Sequence, residues 1–120
     1  MFDELTRTAA PGTPLAAQAR GLDMRLMLRA GEEDTLVIIR DGAATEARRG
    51  PHVTPSWDTR LSAAPGDWEA FLAAVPRPGY HDIYALLRNG RMAWEGNLLP
   101  MMQHLMYIKR LLASLRPEVA

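Results

Sequence analysis

The sequence predicts an α+β domain in which about five mainly antiparallel strands form a sheet with helices packed on one face. Three observations predict this fold class. Residues 22–62 show a two-residue apolar period interrupted by polar turns, residues 65–88 change to helical spacing, and residues 98–115 carry a long apolar helical face. Because the first strands precede the helices instead of alternating with them, an α+β layer arrangement is favoured over a parallel α/β one.

Composition limits the chain to one ordinary globular domain. Its 120 residues suffice for one core, and fourteen basic residues cancel fourteen acidic ones. This balance argues against electrostatic binding of nucleic acid. The chain has no cysteine, which fits a reducing compartment, and MFDELTRTAAPG lacks the pattern of a secretory signal. We therefore expect a cytoplasmic protein.

The domain is expected to span residues 22–116, with a weakly structured segment at 1–21 and a tail at 117–120. Pro11 and Gly12 lie among small and polar residues in the first segment. A short helix can begin at Pro14 and end before Gly21.

The first two strands carry the strongest apolar pattern. Residues 22–29 place Leu22, Met24, Leu26 and Leu28 on one side and charged residues on the other. Residues 35–40 are apolar on both sides, which predicts a central, covered strand.

Two further strands are expected to complete a meander. Asp41-Gly42 predicts a hairpin turn into a short edge strand at residues 43–49. Residues 52–62 alternate as a fourth strand, and Pro55 predicts an edge or a bulge within it. Short turns join these four strands, so we expect an antiparallel meander.

Two short helices follow the meander. The first begins near Pro65 and is predicted to bury one face, formed by Trp68, Phe71, Leu72 and Val75. The prolines at 76 and 78 are expected to end it. Asp82 can cap the second helix, over residues 83–88. A last strand at residues 91–95 then leads to the terminal helix.

The terminal helix is predicted to be continuous to residue 116, with Asn97 as its cap and Pro100 in its first turn. Its buried face comprises Leu98, Met101, Leu105, Ile108, Leu112 and Leu115. A second row widens this face: Leu99, Met102, Met106 and Leu111. The polar side holds Gln103, Tyr107, Arg110 and Ser114. Three methionines within six residues suit an irregular cavity.

The order and spacing of three segments resemble the sterol carrier protein 2 family: VIIRDG, HVTPSWDTRLSAAPGDWEAFL and RMAWEGNLLPMMQHL. The resemblance extends over about residues 22–115. It implies an antiparallel sheet with helices over an apolar tunnel, and non-catalytic binding of a sterol, fatty acid, acyl-CoA or similar lipid. We expect a monomer or a homodimer.

The resemblance also implies which residues surround the ligand. The wall residues would be Trp68, Phe71, Leu72, Leu98, Met102, Leu105, Met106 and Ile108. The floor residues would be Met24, Leu26 and Ile38. Without the resemblance, the helical stripe is more typical of a filled core than of a lipid cavity.

The same residues allow other functions. The apolar helix can instead be a partner face in a dimer or in an accessory subunit of a lipid- or quinone-handling enzyme. Brief docking on a membrane would also suit a lipid carrier. An enzyme is disfavoured, because His52, His81 and His104 are scattered without metal-ligand spacing and no GxSxG motif occurs. We expect no catalytic residue, metal or cofactor.

Overall fold

The computed structural model describes residues 1–50 and 56–117 and confirms the α+β fold class. The strands are β1 Met24–Ala30, β2 Glu33–Arg40, β3 Ala43–Arg49, β4 Thr59–Ala63 and β5 Met92–Gly96. The helices in the described ranges are α1 Leu5–Thr8, α2 Pro14–Ala17, α3 Pro65–Phe71, α4 Ile83–Arg88, α5 Leu99–Gln103 and α6 Leu105–Ala113. Buried residues of the helices and of one sheet face form a single apolar core.

The strand order is β3-β2-β1-β4-β5, and among these described strands only the β1–β4 pair is parallel. The predicted four-strand meander is therefore wrong, since β4 pairs with β1 and not with β3. The reason lies in side-chain character: β1 is apolar enough to be an interior strand, whereas β3, with small and charged residues, stays at the edge as predicted. β4 begins at Thr59, later than expected, and Pro55 lies outside the described residues.

The register determines which strand residues face the helices. Met24 pairs with Ile39 and Leu26 pairs with Val37, and all four are buried in the core. Directly paired residues lie on the same face of a sheet. Ile38 pairs with Arg25 and is thus on the opposite face. The expectation that Met24, Leu26 and Ile38 share one floor is wrong, because neighbouring strand residues point to opposite faces.

The first 21 residues contribute side chains to the core. Phe2 and Leu5 are buried, and the Phe2 ring packs edge-on against Trp68 with centroids 4.9 Å apart. The Ala44 amide donates to the Ala9 carbonyl oxygen at 2.8 Å, which joins this segment to β3. A division of the chain at residue 21 stays a prediction.

Helix α3 is shorter than predicted and ends at Phe71, so Val75 is 73% exposed rather than buried. The Arg116 guanidinium explains this end. Its Nε donates to the Phe71 carbonyl oxygen at 2.8 Å, and the group stacks on the Phe71 ring at 4.6 Å. Helix α4 begins as predicted, because the Asp82 carboxylate accepts from the Ala85 amide at 2.8 Å.

The terminal helix is not continuous. His104 has φ −122° and ψ 31°, which separates α5 from α6. Tyr107, expected on the polar side, is buried, and its hydroxyl donates to the Gly42 carbonyl oxygen. Burial raises the pKa of Tyr107 to about 12. A single carbonyl partner is enough to satisfy the polar tip of this ring, which permits its burial.

An ion pair joins β4 to β5 on the outer face of the sheet. Arg60 Nη2 lies 2.8 Å from Glu95 Oε2, and the Ser62 hydroxyl donates to Glu95 Oε1 at 3.1 Å. The hydrogen bond from Arg60 is the main cause that lowers the pKa of Glu95. Glu95 is thus an ion-paired carboxylate with Arg60 as its partner.

Glu95→Gln should change how stability depends on pH. A carboxylate with a lowered folded pKa stabilises the fold above its unfolded pKa, and this contribution is lost as the pH falls through the folded value. We expect the wild type to exceed the variant in unfolding free energy at pH 7 and the difference to shrink below about pH 4.5. Urea unfolding at several pH values measures it, with the exposed Glu69→Gln as control. A difference that grows on acidification would contradict the assignment.

Candidate functional site

The residues predicted to line a lipid tunnel divide into buried and exposed groups. Trp68, Phe71, Leu26 and Ile108 are fully buried, and Met24 is nearly so. Leu72 and Leu105 are partly buried and pack against the same core. The structure therefore brings these residues together, but as parts of a packed interior.

Trp68 is the centre of this interior. Its indole Nε1 donates to the Arg29 carbonyl oxygen at 2.8 Å, and its ring lies edge-on to Phe71 with centroids 6.1 Å apart. These contacts join α3 to the sheet. Beneath α5 and α6 the space is filled by Met101, Ile108, Leu111 and Leu112.

Met102 and Met106, predicted as wall residues, point to solvent instead. They are 53% and 58% exposed, and Leu99 is 62% exposed. The prediction was of one continuous helix, whereas the helix is interrupted at His104, between Met102 and Met106. We call Leu99, Met102 and Met106 the apolar strip. Leu98, which precedes them, is half-buried.

Aromatic and basic groups extend from the apolar strip. Lys109 lies one turn after Met106, and its Nζ is 5.6 Å from the centre of the Tyr84 ring and 3.6 Å from Asp82 Oδ2. Tyr84 is 42% exposed, and its ring lies 6.2 Å from that of Trp94. Sequence reasoning missed Tyr84; an aromatic residue beside the buried Ile83 of α4 was the available signal.

Clefts indent the surface of the described part of the chain, and two of them are compared with the predicted site. One, of about 340 Å³, lies between α2 and the β2–β3 turn, and the other, of about 240 Å³, lies beside Met24, Ile38 and Asp58. Neither is lined by Trp68, Phe71 or a residue of α5 or α6. The predicted tunnel beneath the terminal helices stays a prediction.

Neither a cluster of metal ligands nor a membrane-spanning helix is found in the described residues. Within residues 1–50 and 56–117, no three His, Asp or Glu side chains converge as a possible metal site. His52 lies outside these ranges. None of the helices found in them is long and apolar enough to cross a membrane.

The fold has clear relatives among solved structures, although no protein-family model and no curated protein matches the sequence. A crystal structure of sterol carrier protein 2 superposes with a TM-score of 0.74 at 13% identity, over 96% of this chain and 92% of that one. The chain has the sterol carrier protein 2 fold.

Two other proteins share the sterol carrier protein 2 fold with this chain at similarly low identity. One is the conserved hypothetical protein TT1886 of Thermus thermophilus, described as possibly a sterol carrier protein: TM-score 0.65, 13% identity, 99% of this chain and 88% of that one. The other is the ubiquinone synthesis protein UbiJ-SCP2: TM-score 0.56, 12% identity, 92% and 88%. At these identities the likeness establishes the fold alone.

Proposed function

We propose that this chain is a non-catalytic lipid-binding module that takes up a fatty acid, acyl-CoA, sterol or similar apolar molecule beneath α5 and α6 and transfers it between membranes. The observation that carries the proposal is that α5 is apolar on two sides. One side of α5 carries Met101, which is fully buried. The other side carries Leu99 and Met102 of the apolar strip, which are exposed to solvent. A helix that is apolar all round is normally covered on all sides.

The shape of α5 supports ligand entry at this place. The helix has five residues, is separated from α6 at His104, and follows β5 after Asn97 and Leu98. Such a short segment has low stability by itself. If α5 lifts from the core, an apolar chain can take its place over Ile108, and the apolar strip can fold over that chain. Because both sides of α5 are apolar, burying the apolar strip against the ligand would offset the hydrophobic free energy lost when the other side leaves the core.

The surroundings of the apolar strip also fit a brief contact with a membrane. Tyr84, Trp94 and Lys109 combine aromatic rings with a positive charge, the residue types that favour the interface between headgroups and acyl chains. We include this contact in the proposal as the step at which lipid is exchanged. The cysteine-free composition fits a cytoplasmic setting for that exchange.

The triple variant Leu99→Gln, Met102→Gln, Met106→Gln tests the proposal. All three side chains are more than half exposed, so we expect the unfolding free energy to change by less than about 1 kcal/mol in total. Binding of a fluorescent fatty acid should weaken at least about tenfold, because the strip can no longer cover the acyl chain. Fluorescence titration and urea unfolding provide the two measurements.

Val75→Gln is the matched control, since Val75 is an exposed apolar residue outside the terminal helices. It should bind the fatty acid as the wild type does. Equal binding by the triple variant and the control would count against a ligand site under α5.

A second candidate function rests on the same exposed strip. An interaction module would use Leu99, Met102 and Met106 to hold a second copy or an enzyme that handles lipids or quinones. Native mass spectrometry separates the two: a co-purifying lipid supports the carrier, whereas a ligand-free dimer that the triple variant dissociates supports the interaction module.

A further inference from the structure

We propose that the cleft between α2 and the β2–β3 turn binds a phosphate group, held by the guanidinium groups of Arg20 and Arg40. The cleft has a volume of about 340 Å³, which is at the lower end of small-ligand sites, roughly 300–1,000 Å³. Its lining residues are Pro11, Gly12, Thr13, Ala16, Ala17, Arg20, Arg40, Asp41 and Ala43. This site is separate from the apolar strip, and the proposal does not depend on lipid carriage.

Small side chains leave the cleft open. Ala16 and Ala17 come from α2, and Ala43 begins β3. A larger residue at any of these positions would occupy part of the volume. A lining that combines small apolar residues with charged groups is expected of a site that orients a small polar group.

Arg20 and Arg40 line the same cleft although they are twenty residues apart in the chain. The Gly21 amide donates to Asp41 Oδ1 at 2.6 Å, so the residues directly after Arg20 and Arg40 are joined. The Asp41 amide in turn donates to Asp23 Oδ1 at 2.9 Å. These two bonds hold the backbone next to Arg20, in the segment after α2, and next to Arg40, at the end of β2.

The position of Gly42 holds this turn against α2. An added Cβ at Gly42 would lie 2.3 Å from the Ala16 carbonyl oxygen and 2.7 Å from that of Ala19. The Gly42 carbonyl also accepts from the buried Tyr107 hydroxyl. Because the scaffold is fixed before a ligand arrives, little ordering cost remains except for the two arginine side chains.

The guanidinium groups are available to a ligand. Ion pairs and side-chain hydrogen bonds within residues 1–50 and 56–117 use eight other arginines: Arg7, Arg29, Arg48, Arg49, Arg60, Arg91, Arg110 and Arg116. Arg20 and Arg40 are not among them, and both are exposed. Two guanidinium groups beside one cleft can supply charge-assisted hydrogen bonds to the oxygens of a phosphate.

The Asp41 carboxylate would repel a bound phosphate, so its removal should change the phosphate affinity in a predictable direction. Asparagine tolerates the φ of +50° found at residue 41 and retains an oxygen that can accept from Gly21. Asp41→Asn removes one negative charge from the cleft and should tighten phosphate binding roughly threefold. A purely structural role of Asp41 would not produce tighter binding.

The experiment titrates the full chain with inorganic phosphate at low ionic strength and follows backbone amide NMR signals. We expect saturable shifts at Gly12, Thr13 and Asp41, which line the cleft. Arg20→Gln and Arg40→Gln should each weaken binding roughly tenfold. Ala17→Glu, which places a carboxylate in the cleft without removing an arginine, should abolish it. Arg88→Gln, which removes an exposed arginine at the end of α4, should leave it unchanged.

Two further probes identify the source of the phosphate. Glycerol 3-phosphate represents a soluble phosphomonoester, and phosphatidylcholine vesicles with phosphatidic acid represent a lipid headgroup. Binding of either probe that falls with Arg40→Gln supports the site and assigns the source. The proposal is overturned if none of the three probes binds the wild-type chain, if all three bind Arg20→Gln and Arg40→Gln as they bind Arg88→Gln, or if Asp41→Asn weakens phosphate binding.

Discussion

Replacing Trp68 with alanine is expected to destabilise the fold by about 3–5 kcal/mol, a large part of the stability of a domain this size. The side chain is fully buried, packs edge-on against Phe2 and Phe71, and donates its indole hydrogen to the Arg29 carbonyl oxygen. The variant would lose these contacts and leave a cavity. Urea unfolding followed by circular dichroism measures the loss.

Two further variants show how much of the stability loss in Trp68→Ala comes from the indole hydrogen bond and how much is specific to this position. Trp68→Phe retains an aromatic ring but not the donor, so it should cost about 1–3 kcal/mol. Trp94→Ala serves as the control. Because Trp94 is only partly buried, its replacement should lower the unfolding free energy by about 1–2 kcal/mol. If Trp68→Ala costs no more than Trp94→Ala, Trp68 does not join α3 and the N-terminal segment to the sheet as described.

Gly42→Ala is expected to cost about 3 kcal/mol, which combines the strain of a positive φ with overpacking. Gly42 has φ +79°, and an added Cβ would press on the carbonyl oxygens of Ala16 and Ala19 at 2.3 and 2.7 Å. Both atoms belong to the backbone and cannot rotate away. Thermal and urea unfolding measure the change.

Gly90→Ala is the matched control for Gly42→Ala. Gly90 has φ +70°, but an added Cβ meets nothing within 4 Å. It should cost only about 1–2 kcal/mol, from conformational strain alone. The difference between the two variants measures how closely the β2–β3 turn packs on residues 16–19, and equal losses would contradict that packing.

Local sequence patterns predicted the local elements well. The alternation in residues 22–29 located β1, Asp41-Gly42 predicted the hairpin, and Asp82 caps α4. These features depend on neighbours in the chain, which the sequence shows directly. The choice of partner strand depends on residues that are distant in the chain, and no local pattern indicated the parallel β1–β4 pair.

In the candidate sites too, local patterns did not reveal contacts between residues that are distant in the chain. The apolar spacing correctly identified Met101, Ile108 and Leu112 as buried, but it could not show the break at His104, after which Tyr107 is buried and Met106 exposed. A tyrosine becomes a core residue only when a partner for its hydroxyl is near, and that partner, Gly42, is 65 residues away. Arg20 and Arg40 line the same cleft, and the long-range hydrogen bond between the residues that follow them, Gly21 and Asp41, is not revealed by any periodicity.

The proposed carriage of lipid by a sterol carrier protein 2 fold has one direct test. The methyl groups of Met101, Leu105 and Ile108, with Val37 on the sheet, are followed by NMR while oleate is added to the full chain. The proposal predicts saturable one-to-one shifts at Met101, Leu105 and Ile108, with contacts between the acyl chain and these methyl groups. Unchanged signals at these three residues, with oleate confined to other surfaces or not bound, would contradict it.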